Sequence, residues 1–295
     1  MRNLKTWASE NLKMREQNIL ERIITYKREE VRQHKMDTPV KELEKSPFFA
    51  RTVISFRKSL NDPSKSGIIA EFKRRSPSKG IINAGASVER VTAAYAQYGA
   101  SAISVLTDTP SFGGSAEDLM RARINPLPLL RKDFMIDEYQ IIEARAMGAD
   151  AILLIAACLS PQHTERLANF AKASGLETIL EIHQESELEN LCDAVDVIGI
   201  NNRDLKTFTV DINRSIELAG KLPAGKTIIA ESGIHDVETI CTLKSAGFNG
   251  FLIGEQFMKE SDPAVAFASF VDQLKRKLYE SKSLRHDATR SGEKA

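Results

Sequence analysis

Carboxylates and ammonium groups recur in this 295-residue sequence just where short apolar runs end. The run Ile68-Ile69-Ala70 leads into Glu71-Phe72-Lys73-Arg74-Arg75-Ser76-Pro77-Ser78-Lys79-Gly80. Side chains alternate across a strand, so Ile69, Glu71 and Lys73 share a face. With Ile69 turned into a core, a carboxylate and an ammonium stand together at the strand's end. Taken alone, such a pair reads as a structural ion pair before it reads as an acid–base pair. The theme returns, however, in Leu130-Arg131-Lys132-Asp133-Phe134, Leu180-Glu181-Ile182-His183, Gly199-Ile200-Asn201-Asn202-Arg203-Asp204 and Ala230-Glu231-Ser232-Gly233. Charges gathered at one end of five strands are costly to bury without partners, and together they point to a site.

The elements that position these residues follow from the apolar runs. Beyond Ile68 to Ala70 the runs are Ala102 to Leu106, Leu127 to Leu130, Ala151 to Ile155, Thr178 to Leu180, Val197 to Ile200, Thr227 to Ala230 and Phe251 to Ile253. Helix-length amphipathic segments such as Val88 to Tyr98 and Glu165 to Ser174 separate most of them. Strands alternating with helices imply a parallel sheet. The segments starting at Tyr98 and Met147 (Tyr-Gly-Ala-Ser-Ala-Ile and Met-Gly-Ala-Asp-Ala-Ile) echo one another, and a looser copy starts at Ala246. In each, glycine falls where a helix should stop. Eight such units close into a (β/α)8 barrel, an α/β fold whose chemistry lies at the C-terminal strand ends. An open doubly wound sheet usually carries a glycine-rich first turn, and neither GxGxxG nor GxxxxGK[ST] occurs.

Around this barrel, expected over residues 67–272, we place a helical extension (1–66) packed on it and a basic, polar tail (273–295). Leu20, Ile23, Ile24, Lys27 and Val31 form the stripe of an N-terminal amphipathic helix. Pro39, Pro47 and Pro63 punctuate loops and short helices. Met1 to about Glu16 reads as peripheral, and Ser281 to Ala295 as a frayed tail.

Glycines follow the last two strands, in Ser232-Gly233-Ile234 and Gly254-Glu255-Gln256. Barrel loops at those positions often bind phosphate through backbone N–H groups. None of His34, His163, His183, His235 and His286 makes an HxH or HExxH pair, so no metal is expected, and His183 reads as a packed or hydrogen-bonded histidine. No GxSxG elbow occurs. Forty-one basic residues balance 40 acidic ones, which argues against nucleic acid or an anionic membrane as partner. Cys158, Cys192 and Cys241 lack CxxC spacing and read as free thiols. With no apolar leader behind Met1, the expected location is the cytoplasm.

The Glu71 to Gly80 block closely resembles the first-strand signature of the indole-3-glycerol-phosphate synthase family, lyases of tryptophan biosynthesis. The Leu130 to Phe134, Gly199 to Leu205 and Ala230 to Ile234 blocks match it in order, and the likeness runs from about Ile19 to Phe270. The resemblance implies closure of an anilino-deoxyribulose phosphate onto its own ring, with loss of carbon dioxide and water and without any cofactor. It makes Lys132 the general acid, and Lys73 the ligand of the substrate carboxylate and an acid in dehydration. Glu181 becomes the acid–base group of later steps, and Glu71 the partner that orients the lysines. Asn201, Arg203, Glu231, Ser232 and Phe112 become substrate contacts, while Ser76, Gly233, Gly254 and the backbone of Glu255 hold phosphate. Many relatives carry a small residue at position 255, so the Glu255 side chain is expected to turn outward. A sibling sugar-phosphate isomerase and a non-catalytic phosphosugar sensor are the rival readings. The expected partner is a small phosphorylated molecule, and the expected assembly a monomer or weak homo-oligomer. Dialysed protein is expected to keep its turnover in excess EDTA. A loss restored by one divalent ion would overturn the cofactor-free reading.

Overall fold

The computed structural model describes residues 19–204 and 209–292, with backbone alone from 281. The peripheral segment expected up to Glu16, and Leu205 of the Gly199 block, lie outside the described residues. Among the described residues ten strands form in order: β1 (Ile68–Phe72), β2 (Arg75–Ser76), β3 (Gly80–Ile81), β4 (Ala102–Leu106) and β5 (Leu129–Lys132), then β6 (Ala151–Ile155), β7 (Glu177–Ile182), β8 (Val197–Asn201), β9 (Thr227–Glu231) and β10 (Gly250–Ile253). Eight of them close a parallel barrel, β1-β4-β5-β6-β7-β8-β9-β10, with Ile68 of β1 in register with Phe251 of β10. The fold is a TIM barrel. All eight apolar runs are barrel strands. The short antiparallel pair β2–β3 is an addition that folds the loop after β1 into a hairpin.

Period-two alternation sorts the strand residues as a closed sheet requires. Ile69, Ala102, Leu130, Ala151, Ile179, Val197, Ile229 and Leu252 pack inside the barrel. Their neighbours Ile68, Ile103, Leu129, Ile152, Leu180, Ile198 and Phe251 face the surrounding helices. Phe56 and Leu60, in a one-turn helix capped by Ser55, join the interior cluster; Leu60 reaches Gly250, where β10 begins, so they plug the N-terminal end. At the opposite end the same alternation turns Glu71, Lys132, Glu181 and Glu231 toward the axis.

Helix α1 (Ile19–Asp37) crosses that upper end. Its stripe buries Ile23 and Val31, and between them Lys27, which is fully buried. The ammonium reaches Asp108 at 3.1 Å, Asp133 at 3.0 Å and Glu30 at 2.8 Å. Burial opposes its charge, but these carboxylates outweigh that and raise its pKa. Tyr26 donates to Asp108 at 2.6 Å, and Asp133 also accepts from Thr107 at 2.5 Å. A buried cation between two buried carboxylates thus pins α1 to the ends of β4 and β5.

The last helix, Pro263–Gly292, continues through the segment read as a frayed tail from Ser281. No proline or glycine interrupts it between those two residues, so nothing in its backbone chemistry ends it earlier. No helix among the described residues is long and apolar enough to cross a membrane.

Lys27→Met keeps the stem but takes from Asp108 its cation and leaves Asp133 with Arg131 alone. Removing one partner from a buried ion cluster costs about 3–5 kcal/mol. Chemical denaturation should show a loss of that order. A change below about 1 kcal/mol would mean that the clamp holds little.

Candidate active site

Lys132, the last residue of β5, donates to Glu181 Oε2 and to Glu231 Oε2, each at 2.8 Å. Glu181 comes from β7 and Glu231 from β9, so one ammonium ties three strand ends across the mouth. Lys73 pairs with Glu71 at 2.6 Å, and both line the same cavity as Lys132. The shared face inferred for Ile69, Glu71 and Lys73 is therefore the inner one. Asn201 of β8 donates to Glu181 Oε1 at 3.1 Å.

Electrostatics follows from taking these charges out of water. Burial disfavours the Lys132 cation, but Glu181, Glu231 and Glu71 together outweigh it, and the lysine keeps its proton well above the usual range. Burial would raise Glu181 too, yet Lys132 and His183 hold it well below an ordinary carboxyl. Glu231 goes the other way: burial, with Glu181 beside it, raises it to about 7 against the pull of Lys132. Its Oε1 has no hydrogen-bond partner among the described residues. The two carboxyls flanking one lysine are thus pushed in opposite directions, Glu181 down and Glu231 up.

The remaining sequence-selected residues line one cavity with these charges. Ser76, Phe112, Asn201, Arg203, Ser232, Gly233, Gly254 and Glu255 all contribute to its wall. Phe112 packs against Phe134 with ring centroids 6.2 Å apart. Ser232 has φ 66°, the only non-glycine among the described residues in the left-handed region, and Gly233 follows at φ 67°. Such backbone is strained for serine, and both residues line the cavity. Asn202 donates to Ser232 O at 2.8 Å, binding the loops after β8 and β9 together. Glu255 begins the one-turn helix Glu255–Met258, and its carboxylate stands 3.8 Å from the Lys79 ammonium, a counter-ion on the β2–β3 hairpin.

Not every member of the charged blocks enters the mouth. Arg131 points away from the axis, toward Gln140 O at 2.8 Å, Asp133 and Glu143. Arg74 pairs with Asp118 beside the barrel. Sequence reasoning did not show which α1 residues reach the cavity, nor what two of its glycines make room for. Ile19, Leu20 and Ile23 of α1 roof the cavity, and of these the helical stripe marked Leu20 and Ile23. Gly199 opens one of the matching blocks, and a Cβ there would lie 2.2 Å from Glu231 Oε1, so its bareness makes room for that carboxylate. Gly254 does the same for Glu71, at 2.7 Å from Oε1. Among the described residues no group of three or more His, Cys, Asp or Glu is placed to hold a metal ion.

Residues 20–270 match the family model of indole-3-glycerol phosphate synthase. The chain belongs to the indole-3-glycerol phosphate synthase family. Relatives of that description include one from Bacteroides thetaiotaomicron, 46% identical over 258 residues, covering 87% of this chain and 99% of the relative. Another, from Salinibacter ruber, is 43% identical over 255 residues and covers 85% and 94%. Members of this family are carboxy-lyases of tryptophan biosynthesis. Among solved structures, a mutant tryptophan synthase alpha-subunit from Pyrococcus furiosus superposes with a TM-score of 0.55 at 15% identity, over 71% of this chain and 98% of that one. That likeness speaks for the barrel alone.

Gly199→Ala should force Glu231 from its place. Overpacking of this kind costs about 1–3 kcal/mol. Gly85→Ala, with open space around it, is the control and should change stability little. Equal melting temperatures for the two variants would show that Glu231 moves freely, contrary to the geometry.

Proposed function

We propose that this chain closes 1-(2-carboxyphenylamino)-1-deoxyribulose 5-phosphate to indole-3-glycerol phosphate, with Lys132 as the general acid. The observation that carries the reading is the Lys132 ammonium, suspended between Glu181 and Glu231 at the barrel mouth. The ring carbon bearing the carboxylate is a weak nucleophile. It attacks the ketone only as the carbonyl oxygen gains a proton, and positioned acids supply roughly 10²–10⁴ in rate. Lys132 holds that proton firmly at rest. The developing alkoxide is a stronger base than an amine, so the proton moves as the new carbon–carbon bond forms. Carbon dioxide then leaves, and the electrons of its bond restore the aromatic ring.

Dehydration needs a second acid and a base. Lys73, paired with Glu71, protonates the departing hydroxyl and earlier holds the substrate carboxylate. Glu181 takes the carbon-bound proton, and Lys132 and Asn201 keep its carboxylate aimed. Arg203, Phe112 and Glu231 shape the cavity around the anilino-sugar. Phosphate lies against Ser76 and the backbone of Ser232, Gly233, Gly254 and Glu255, where Lys79 offsets the Glu255 carboxylate.

Lys132→Met preserves bulk and removes the proton donor. Its kcat should fall by roughly 10²–10⁴ with a modest change in KM. Lys73→Met should raise KM as well, because its charge also holds the ground-state carboxylate. Steady-state assays of indole fluorescence, with circular dichroism for folding, decide both. A folded Lys132→Met protein with near-normal kcat would move the acid role to Lys73.

Inorganic phosphate should compete with substrate, and Gly233→Glu should raise KM sharply. A Cβ at Gly233 already meets Val210 Cγ1 at 2.2 Å. Purely non-competitive inhibition by phosphate would argue against this binding place.

A further inference from the structure

His183 stands one residue past the end of β7, its side chain nine-tenths buried. Its Nε2 is 3.3 Å from Glu181 Oε1, and its Nδ1 is 3.6 Å from Glu187 Oε2. Neither nitrogen meets hydrogen-bond geometry with a described residue, so charge rather than a directional bond holds the ring. Glu187 sits in the short helical turn Glu185–Asn190 and accepts the His183 backbone N–H at 2.6 Å. Asn190 anchors that turn, donating to Leu159 O at 3.0 Å and to Thr164 at 2.7 Å. Among the described residues no lysine or arginine lies within ion-pair distance of Glu187, which leaves the imidazole as its counter-ion.

Glu181 has two charged partners of its own among the described residues: Lys132 on Oε2 and His183 on the side of Oε1. Asn201 offers only a neutral dipole. Once Lys132 gives its proton to the substrate, a buried carboxylate loses one of these two cations, and an unpaired buried charge is strongly disfavoured. We propose that His183 is a positioning residue, a cation between Glu181 and Glu187 that aims the Glu181 carboxylate and balances its charge while Lys132 is deprotonated. The proposal rests on Glu181 acting in the later proton transfers. Burial alone would lower the basicity of the ring, but the two carboxylates outweigh it and raise the imidazole to about 9. The other titratable groups nearby are Lys132 of β5, which is held protonated, and Cys158 of the turn Ala156–Cys158. Burial and the same two carboxylates push the Cys158 thiol up to about 12, so it stays neutral.

Steady-state kinetics of the full chain on the anilino-deoxyribulose phosphate, from about pH 6 to 10, separates a positioning role from packing. His183→Gln should lower kcat about 10–100-fold while KM stays within about threefold. Wild-type kcat should fall on the alkaline side as the imidazolium loses its proton near pH 9, and His183→Gln should lack that limb. Glu187→Gln leaves the ring in place but removes one of the carboxylates that raise it, so the limb should move to lower pH. A histidine that only fills space would leave the limb where it is. His183→Gln with kcat within about twofold of wild type, or an unmoved limb in Glu187→Gln, overturns the proposal. If His183→Gln fails to fold by circular dichroism, the Glu187→Gln limb decides alone. Glu181→Gln, run alongside, separates the two levels: full activity there refutes the reading of Glu181 and removes the role of His183 with it.

Discussion

Everything at the mouth of this barrel depends on keeping Lys132 charged where water is scarce. An ammonium taken from water needs close carboxylates, and β7 and β9 supply Glu181 and Glu231 at equal distances. Those carboxylates need support in turn. Asn201 and His183 steady one, while Gly199 leaves space for the other. Lys73 and Glu71 add a second pair, and Gly254 stays bare so that Glu71 fits. The same strength of pairing that stabilises these charges sets their proton affinities, so stability and chemistry here have one origin.

A second buried ion cluster lies behind the first and does mechanical work. Asp133 directly follows Lys132 in the chain, and its pKa falls to about 2: burial would raise it, but Lys27 and Arg131 outweigh that. Asp108 caps the helical turn Thr109–Phe112 that carries Phe112 to the cavity. Lys27 touches both aspartates, so α1 is fastened to two walls of the site while its apolar residues roof it. The helix is thereby part of the cavity. Its position follows from a charge that an apolar stripe would not normally contain.

Period-two reading succeeded at the strands because a closed sheet with two buried faces leaves side chains only two directions. With Ile69 inward, Glu71 must follow it, and the same parity sends Lys132 inward and Arg131 outward. The adjacent charges of Leu130 to Phe134 looked alike in sequence; alternation divided them between the mouth and the helix layer. The β2–β3 hairpin escaped notice because two-residue strands carry no periodic signal. Beyond Ser281 the polar composition carries no helix signal of its own, and the helix begun at Pro263 runs on because no breaker occurs before Gly292.

The sequence by itself determined the eight-unit repeat, the end of the barrel that carries polar groups, and the family through its charged blocks. These are properties of neighbours along the chain, where spacing and residue type act directly. Only the tertiary structure decided which carboxylate faces which lysine, because those partners are brought together by barrel closure across 49 and 99 residues. It also decided that Glu231 is pushed up while Glu181 is held down, since that depends on how burial and neighbouring charge balance at each carboxylate. The roles of His183, Gly199 and Lys27 belong to the same class. A lone histidine, a glycine within a strand and a lysine in an apolar stripe acquire meaning only from the groups packed against them.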